Sequence, residues 1–314
     1  MKVVITEKYG GAEVLKLKEI PKPQISNDEV LVKVVASSVN PYEIRIRRGE
    51  MKIMTGKKPP QVLGSDFAGV VEEIGSGVNN FKKGDEVFGM LDGLKGGSYA
   101  EYLKVKTGAI SLKPTNLNFE EAASIPLVAL TSYRSIFHIG KVRKGDNVLI
   151  NGCTGGVGSS AVQIAKALGC TVAGVCSTKN IEFAKSLGVD NIIDYKKEDV
   201  TKLSVKYDLI FDTIGNIPFS KSKAILKPGK IYVTTNVTPA AMMIDPVLNI
   251  FRNKKAKIVM VSPNADDLNE IKKHIEAGKV KPQINTTFLL DQIQEAHYLS
   301  ETGRVTGKIV LKIQ

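Results

Sequence analysis

The chain has 314 residues, 43% of them hydrophobic and 24% charged, a composition that fits soluble globular protein and a length that favours two domains over one core. No apolar run approaches the roughly 20 residues that span a bilayer, and the start MKVVITEKYGG lacks a signal-peptide pattern, so neither membrane insertion nor secretion is expected. The net charge of +12 admits nucleic acid or anionic ligands, but the lysines are interleaved with acids, as in KEDVTKLSVKYD, and no DNA- or RNA-binding signature accompanies them; a solvated surface is the expected reading.

The first third reads as β structure. Short apolar or alternating runs at 2–6, 12–19, 29–36, 62–76, 86–90 and 98–105 are separated by Gly-Gly, Pro-Lys-Pro, Asn-Asp and Gly-Ser-Gly breaks. Their irregular spacing predicts a compact barrel-like domain. Asn40-Pro41-Tyr42-Glu43 opens a short helix that runs to Arg48 and stops at Gly49. Asn118, three residues before Glu121, has the form of a capping box for a further helix; Pro126 should split it and Gly140 end it.

From Asp146 strands and helices alternate. Strands are expected at 146–151, 171–176, 191–195, 207–213, 230–235 and 257–262, with helices near 156–168, 180–187, 198–203, 217–226 and 243–253. Six strands with five crossovers predict a doubly wound parallel sheet. After Pro263 comes the helix ADDLNEIKKHIEAG, then strands at 288–290 and 308–313 flanking the helical DQIQEAHYLSET, and this tail should rejoin the first third. The expected division is 1–118 with 264–314, and 119–263.

The stretch DNVLINGCTGGVGSSAVQIAKALG, residues 146–169, organises the second domain. A strand feeding through Gly152, Gly155, Gly156 and Gly158 into a helix is the plan of a dinucleotide-binding unit, where the helix N-terminus receives phosphates. An acid about 20 residues on would select NAD. Instead Ser177, Thr178 and Lys179 stand there, and the nearest carboxylate in sequence is Glu182. Two hydroxyls and an ammonium suit a 2′-phosphate, hence NADPH, although Ser177 or Thr178 would equally cap a helix. Tyr195 either lies beside that phosphate or packs on a neighbouring strand end. Asp66, in VLGSDFAG, is a candidate carboxylate or a turn-former. His138, His274 and His297 lie far from each other and from Cys153, Cys170 and Cys176, without metal-ligand spacing, so no metal site is expected. Free thiols in a reducing cytoplasm are the simplest account of the cysteines. No Gly-x-Ser-x-Gly elbow supports nucleophilic hydrolysis.

The segments SSVNPYEIRIRRG, PQVLGSDFAGVVEEIGSGVNNFKKGDEVFG, GGSYAEY, EEAASIPLVALTSYRSI, GDNVLINGCTGGVGSSAVQIAKALG, AKSLGVDNIIDYKKED, YDLIFDTIG and TGKIVL cover the chain in order. Together they resemble the medium-chain dehydrogenase/reductase superfamily, in its zinc-independent quinone oxidoreductase (zeta-crystallin-like) branch. NIEFAKSLG, GNIPFS and TGKIVL are further similar to chloroplast-envelope quinone oxidoreductase and alkenal/enone oxidoreductase-like members. The resemblance implies a discontinuous GroES-like catalytic domain of β-barrel type and a Rossmann nucleotide-binding domain. It implies NADPH as cofactor, a homodimer, and reduction of quinones or of the C=C bond of α,β-unsaturated carbonyls. Zinc-binding members carry Gly-His-Glu where this chain has Gly64-Ser65-Asp66.

Carried over by position, Gly155, Gly156 and Val157 would meet the pyrophosphate, and Ser177, Lys179 and Tyr195 the 2′-phosphate. Asn40 and Thr131 would stand near the nicotinamide, Ile214, Thr235 and Asn236 along the cofactor, and Lys308 would close on it from the tail. Cys153 reads as a small residue, not a nucleophile. Tyr42 is a candidate proton donor, though no essential acid–base residue is expected. Two other readings stay open: a zinc-free alcohol dehydrogenase acting at C=O, and a non-catalytic NADPH- or nucleic-acid-binding crystallin-like protein.

Overall fold

The computed structural model describes residues 1–236 and 253–313. The chain divides into two compact units: Met1–Leu130 with Ser262–Glu276 and Pro282–Gln314, and Thr131–Val261 with Ala277–Lys281. The division therefore falls at Leu130, later than the 118/119 boundary expected from sequence, and 277–281 goes with the second unit. The reason for the later boundary is local: the Leu127 N–H donates to Asp66 Oδ1 at 2.7 Å, which fastens the 119–130 stretch to the first unit. Among the described residues no helix is long and apolar enough to cross a membrane.

In the first unit, β1 (Lys2–Thr6) pairs antiparallel with β2 (Leu15–Glu19), which a 3-10 turn at Ala12–Val14 precedes. The centre is β3 (Glu29–Val39), eleven residues long and buried along most of its length. One edge of β3 carries β4 (Asp66–Ile74). Its other edge is shared: β6 (Tyr102–Lys106) occupies Glu29–Lys33 and the tail strand β15 (Lys308–Lys312) occupies Ala36–Val39. Sharing one edge between two partners is how a sheet bends toward a barrel. β5 (Glu86–Met90) and β7 (Ile110–Leu112) extend the β4 side, and β14 (Ile284–Leu289) lies parallel to β15. β7 is a strand the sequence pattern did not separate, and the strand expected from 98 begins only at Tyr102. Head and tail share one core: Val4, Leu15, Val39, Ile46 and Tyr99 pack with Leu290, Ile293, Ala296, Ile309 and Leu311.

Helix α1 (Pro41–Arg47) follows β3 directly, capped by Asn40 with Glu43 answering from N3, and Gly49 after it takes φ 77°. A short α2 (Lys52–Thr55), unforeseen in sequence, follows. The Asn118–Glu121 capping box holds α3 (Phe119–Ala123); Pro126 then starts a separate α4 (Pro126–Tyr133), which widens into a π-type turn at Arg134–Ile139 before Gly140.

The second unit is a parallel six-stranded sheet, with β8 (Asn147–Asn151), β9 (Thr171–Cys176), β10 (Asn191–Asp194), β11 (Tyr207–Asp212), β12 (Leu226–Thr234) and β13 (Lys255–Ile258). Its order, β10-β9-β8-β11-β12-β13, reverses direction at β8/β11, the switch point of a doubly wound sheet. β8 is fully buried over Val148–Ile150, as a central parallel strand must be. α5 (Gly156–Ala167) and α6 (Ile181–Ser186) match expectation, whereas 198–203 contributes only a 3-10 turn at Val200–Lys202 and α7 (Phe219–Ser222) is short. β12 starts four residues before the expected 230, because Leu226 pairs with Tyr207 across a register shift. β13 starts at Lys255 because its register with β12 runs from Ile231↔Lys255 to Thr234↔Ile258. The helix expected at 243–253 lies outside the described residues except for Asn253. The helix of the tail, α8 (Ala265–Glu276), and α9 (Ile293–Glu301) belong to the first unit.

Candidate active site

In the second unit the turn after β8 is built by backbone restrictions. Gly152 has φ 77°, a conformation side chains avoid. A Cβ on Gly158 would lie 2.0 Å from Gly152 O, so the helix approaches the turn as closely as glycine permits. Gly155 is the N-cap of α5 and supplies no side-chain cap, and no acid stands in the first turn. The leading N–H groups of this 12-residue helix, on Gly156 and Val157, therefore keep their donors for an anion. Beside Gly155 the space is open, with the nearest atom to a Cβ at 3.7 Å. These features fit a dinucleotide pyrophosphate.

The loops at the strand ends are fixed by one residue the sequence reading passed over. Buried Asp212, last in β11, takes N–H donations from Ile214 at 3.2 Å, Gly215 at 2.8 Å and Ile217 at 2.9 Å. It also accepts from Asn151 Nδ2 at 2.7 Å and Tyr232 OH at 2.9 Å. Thr235 Oγ1 donates to Thr213 O and Asn236 Nδ2 to Gly215 O, which joins the β12 end to the same loop. Ile214 thus stands 57% exposed on a rigid loop, its Cδ1 beside Gly152. The signal was present in YDLIFDTIG: an acid at a strand end before a glycine turn.

Ser177, Thr178, Lys179 and Tyr195 come together at the ends of β9 and β10, where the Tyr195 N–H donates to Cys176 O at 3.2 Å. Tyr195 is 60% exposed, so it does not pack into the core. Ser177 caps the following 3-10 turn by position, but its hydroxyl makes no cap bond there. Thr178 differs from expectation: its hydroxyl donates to Asp194 Oδ2 at 2.6 Å. Asp194 lies opposite Cys176 in the β9–β10 register, so a carboxylate reaches this corner from the next strand rather than from Glu182. The Thr178 hydroxyl, then the Lys196 N–H and the lysines at 197 and 196, hold Asp194 below its ordinary range.

The first unit holds a separate buried polar cluster. Asp66 Oδ2 accepts from Ser38 Oγ at 2.7 Å, Asn40 Nδ2 at 3.0 Å and Lys308 Nζ at 3.2 Å. Lys308 also donates to Asn40 Oδ1, and Glu43 accepts from Asn40 N at 2.6 Å, Asn40 Nδ2 at 3.1 Å and Ser65 Oγ at 2.9 Å. Asn40 and Lys308 are thus brought together, each engaged with carboxylates and nearly inaccessible. Burial, then the Asp66 charge, pushes Glu43 up to about 7 against the pull of Lys308, Asn40 and Ser65. Tyr42, between these residues on α1, packs its ring on Gly93; burial and the charges of Asp92 and Glu43 raise its phenol to about 12. That makes it a weak acid near neutral pH. Thr131 is buried in α4, where its carbonyl accepts from Ser135 Oγ at 2.7 Å.

Comparison with known proteins gives two family matches: "Alcohol dehydrogenase GroES-like domain" over residues 26–115 and "Zinc-binding dehydrogenase" over 187–311. The chain is 38% identical over 316 residues to a 2-methylene-furan-3-one reductase of Solanum lycopersicum, covering 96% of this chain and 76% of that protein. It is 37% identical to the chloroplastic NADPH-dependent alkenal/one oxidoreductase of Arabidopsis thaliana, covering 99% and 79%. Among solved structures, the quinone oxidoreductase of Coxiella burnetii superposes with a TM-score of 0.90 at 33% identity, covering all of this chain and 99% of that one. The chain belongs to the medium-chain dehydrogenase/reductase superfamily. Its GroES-like and Rossmann-type parts are those of the fold expected from sequence.

Within this superfamily some members hold zinc, and the described residues around Asp66 are not a set that fits that ion. Among the described residues no three of His, Cys, Asp and Glu are grouped to hold a metal. Around Asp66, already matched by the Lys308 ammonium, stand Ser38, Asn40, Ser65 and one further carboxylate, Glu43, which is itself bonded to Asn40 and Ser65.

Proposed function

We propose that the chain is an NADPH-dependent, zinc-independent oxidoreductase that reduces quinones or the C=C bond of α,β-unsaturated carbonyls. The observation that carries this reading is the uncapped start of α5 behind Gly152, with Ser177, Lys179 and Tyr195 gathered at the neighbouring strand ends. The names of the relatives support the same activity, and NADPH in particular.

The nicotinamide, when bound, supplies the hydride. The chain's own residues do positional work. N–H groups of Gly156 and Val157, beside Gly155, would hold the pyrophosphate, and Ser177, Lys179 and Tyr195 the 2′-phosphate, with Thr178 acting through Asp194. Ile214, Thr235 and Asn236, on the loop that Asp212 fixes, would contribute along the cofactor, and Asn40, Thr131 and Lys308 would serve nearer the reacting end. Protonation of the product comes from solvent, and Tyr42 is the side chain that would compete with solvent as donor. A homodimer in the cytoplasm is the expected form.

The test combines an acceptor panel of quinones, 2-alkenals and enones with both cofactors. Saturated ketone formed from an enone with NADPH supports the reading, whereas allylic alcohol would assign the enzyme to C=O chemistry. Lys179→Ala with Ser177→Ala should raise KM for NADPH by about 10-fold or more and leave KM for NADH nearly unchanged, since each charge-assisted bond is worth about 1.5–3 kcal/mol. Equal effects on the two cofactors would reject the 2′-phosphate assignment.

Tyr42→Phe separates the two proton sources. Most of kcat should survive; a loss of about 10³-fold would make Tyr42 a general acid.

A further inference from the structure

The three cysteines take no part in the chemistry above, yet two of them meet. Cys153 lies within the glycine turn and Cys176 closes β9; both are free thiols, at 0% and 3% exposure. The N–H groups of Gly152 and Cys153 both donate to Val175 O at 3.1 Å, which ties the turn that carries Cys153 to the residue just before Cys176. Gly174, two residues before Cys176 and so on the same face of β9, leaves the room: a Cβ there would lie 2.8 Å from Cys153 Sγ. The two side chains influence each other's ionisation, which favours the thiolate on Cys176 and disfavours it on Cys153.

We propose that Cys153 and Cys176 form a hydroperoxide-oxidisable dithiol, a modification site whose disulfide ties the glycine turn to the end of β9. The Cys176 thiolate attacks the outer oxygen of a hydroperoxide; the O–O bond breaks, a sulfenic acid forms, and the released alkoxide takes up the thiol proton to leave as alcohol. Cys153 then attacks the sulfenic sulfur, the S–S bond forms, and hydroxide leaves with the Cys153 proton as water. Two thiols lose two electrons, and the peroxide gains them. The bond draws the turn toward β9 and moves the leading N–H groups of α5. Asn180 Nδ2, which donates to Thr154 Oγ1 at 3.1 Å, passes the shift to the Ser177–Lys179 corner. This consequence rests on the reading of the turn as a dinucleotide site.

The experiment treats the full chain with a modest excess of hydrogen peroxide and sequences its peptides without reduction. Expected is a Cys153–Cys176 link, a rise of about 10-fold in the Kd for NADPH, and recovery with dithiothreitol. Cys170, which burial and the charges of Asp146 and Asp208 push up to about 11, should remain free, and Cys170→Ala should still form the link. Cys176→Ala, compared with its own reduced form, should show no link and no change in Kd on oxidation. Absence of the link in the parent overturns the proposal; a link that leaves Kd unchanged overturns the coupling to the turn. Failure of the reduced chain to bind NADPH would refute the proposed function, while the mass of the linked peptide still decides the dithiol.

Discussion

Gly158→Ala is expected to raise the Kd for NADPH by about 10²-fold, the scale of losing two hydrogen bonds to a charged group at about 1.5 kcal/mol each. The new Cβ would lie 2.0 Å from Gly152 O and 2.8 Å from Cys153 Cα, all backbone, so no rotamer relieves it. Either α5 withdraws or the turn opens, and both move the N–H groups off the phosphate. Overpacking of this kind also costs about 1–3 kcal/mol of stability. Gly155→Ala is the internal comparison. Gly155 has φ −77°, which any residue adopts, and the nearest atom to its Cβ is 3.7 Å away, so Tm should stay within a degree or two of the parent. A fluorescence titration with NADPH and a thermal melt on each variant decide the matter. Gly158→Ala binding within twofold of the parent would show that the close approach of helix to turn is not what places the phosphates.

That turn was legible in the sequence because everything it needs is local: a buried apolar strand, glycines at fixed spacing, and a small-residue helix within 24 positions. The corner at Ser177–Lys179 was half legible. Its hydroxyls and ammonium follow the strand in sequence, but Asp194 enters from β10 and takes the Thr178 hydroxyl, and only the strand register shows this. The first unit's polar cluster was legible only as single residues, Asp66, Asn40 and Lys308, and not as a bonded set. Lys308 and Asp66 are 242 residues apart, and no periodicity announces that a tail lysine will neutralise a carboxylate on β4. His297 entered the sequence reading only as a histidine without metal-ligand spacing; its burial follows from α9 packing into a core shared by both ends of the chain. Long-range pairs of this sort are created by topology, so composition and spacing carry no trace of them.

His297 and Glu43, both buried in the first unit, make opposite contributions to acid stability, and the opposition can be measured. Burial, then the Arg47 charge, lowers His297 from 6.5 to about 3. Its ring meets Tyr99 edge-on at 5.8 Å, and among the described residues neither ring nitrogen has a hydrogen-bond partner. The unfolded chain takes up a proton that the buried ring refuses. Its contribution is therefore full above pH 6.5 and lost as pH falls toward 3. Glu43 is raised from 4.5 to about 7, so the folded chain keeps a proton the unfolded chain releases, and that contribution is full below 4.5 and lost as pH rises toward 7. Carboxylates with lowered values, such as Asp190 and Asp208, change stability only below their unfolded values near 3.8. Between pH 4.5 and 6.5 these two buried groups therefore set slopes of opposite sign that each reach about 1.4 kcal/mol per pH unit. The parent should be nearly level across this window in urea unfolding. His297→Phe should grow less stable by about 2 kcal/mol as pH rises through it, because only Glu43 remains. Glu43→Gln should grow more stable by a similar amount. Its absolute stability will fall at every pH, since the new amide faces the Asn40 N–H that the carboxylate accepted, so the slope is the quantity to read. Three parallel profiles would mean that neither group is held out of its ordinary protonation in the folded chain. A parent that loses stability steeply below pH 6.5 would mean that Glu43 ionises normally and His297 is unopposed.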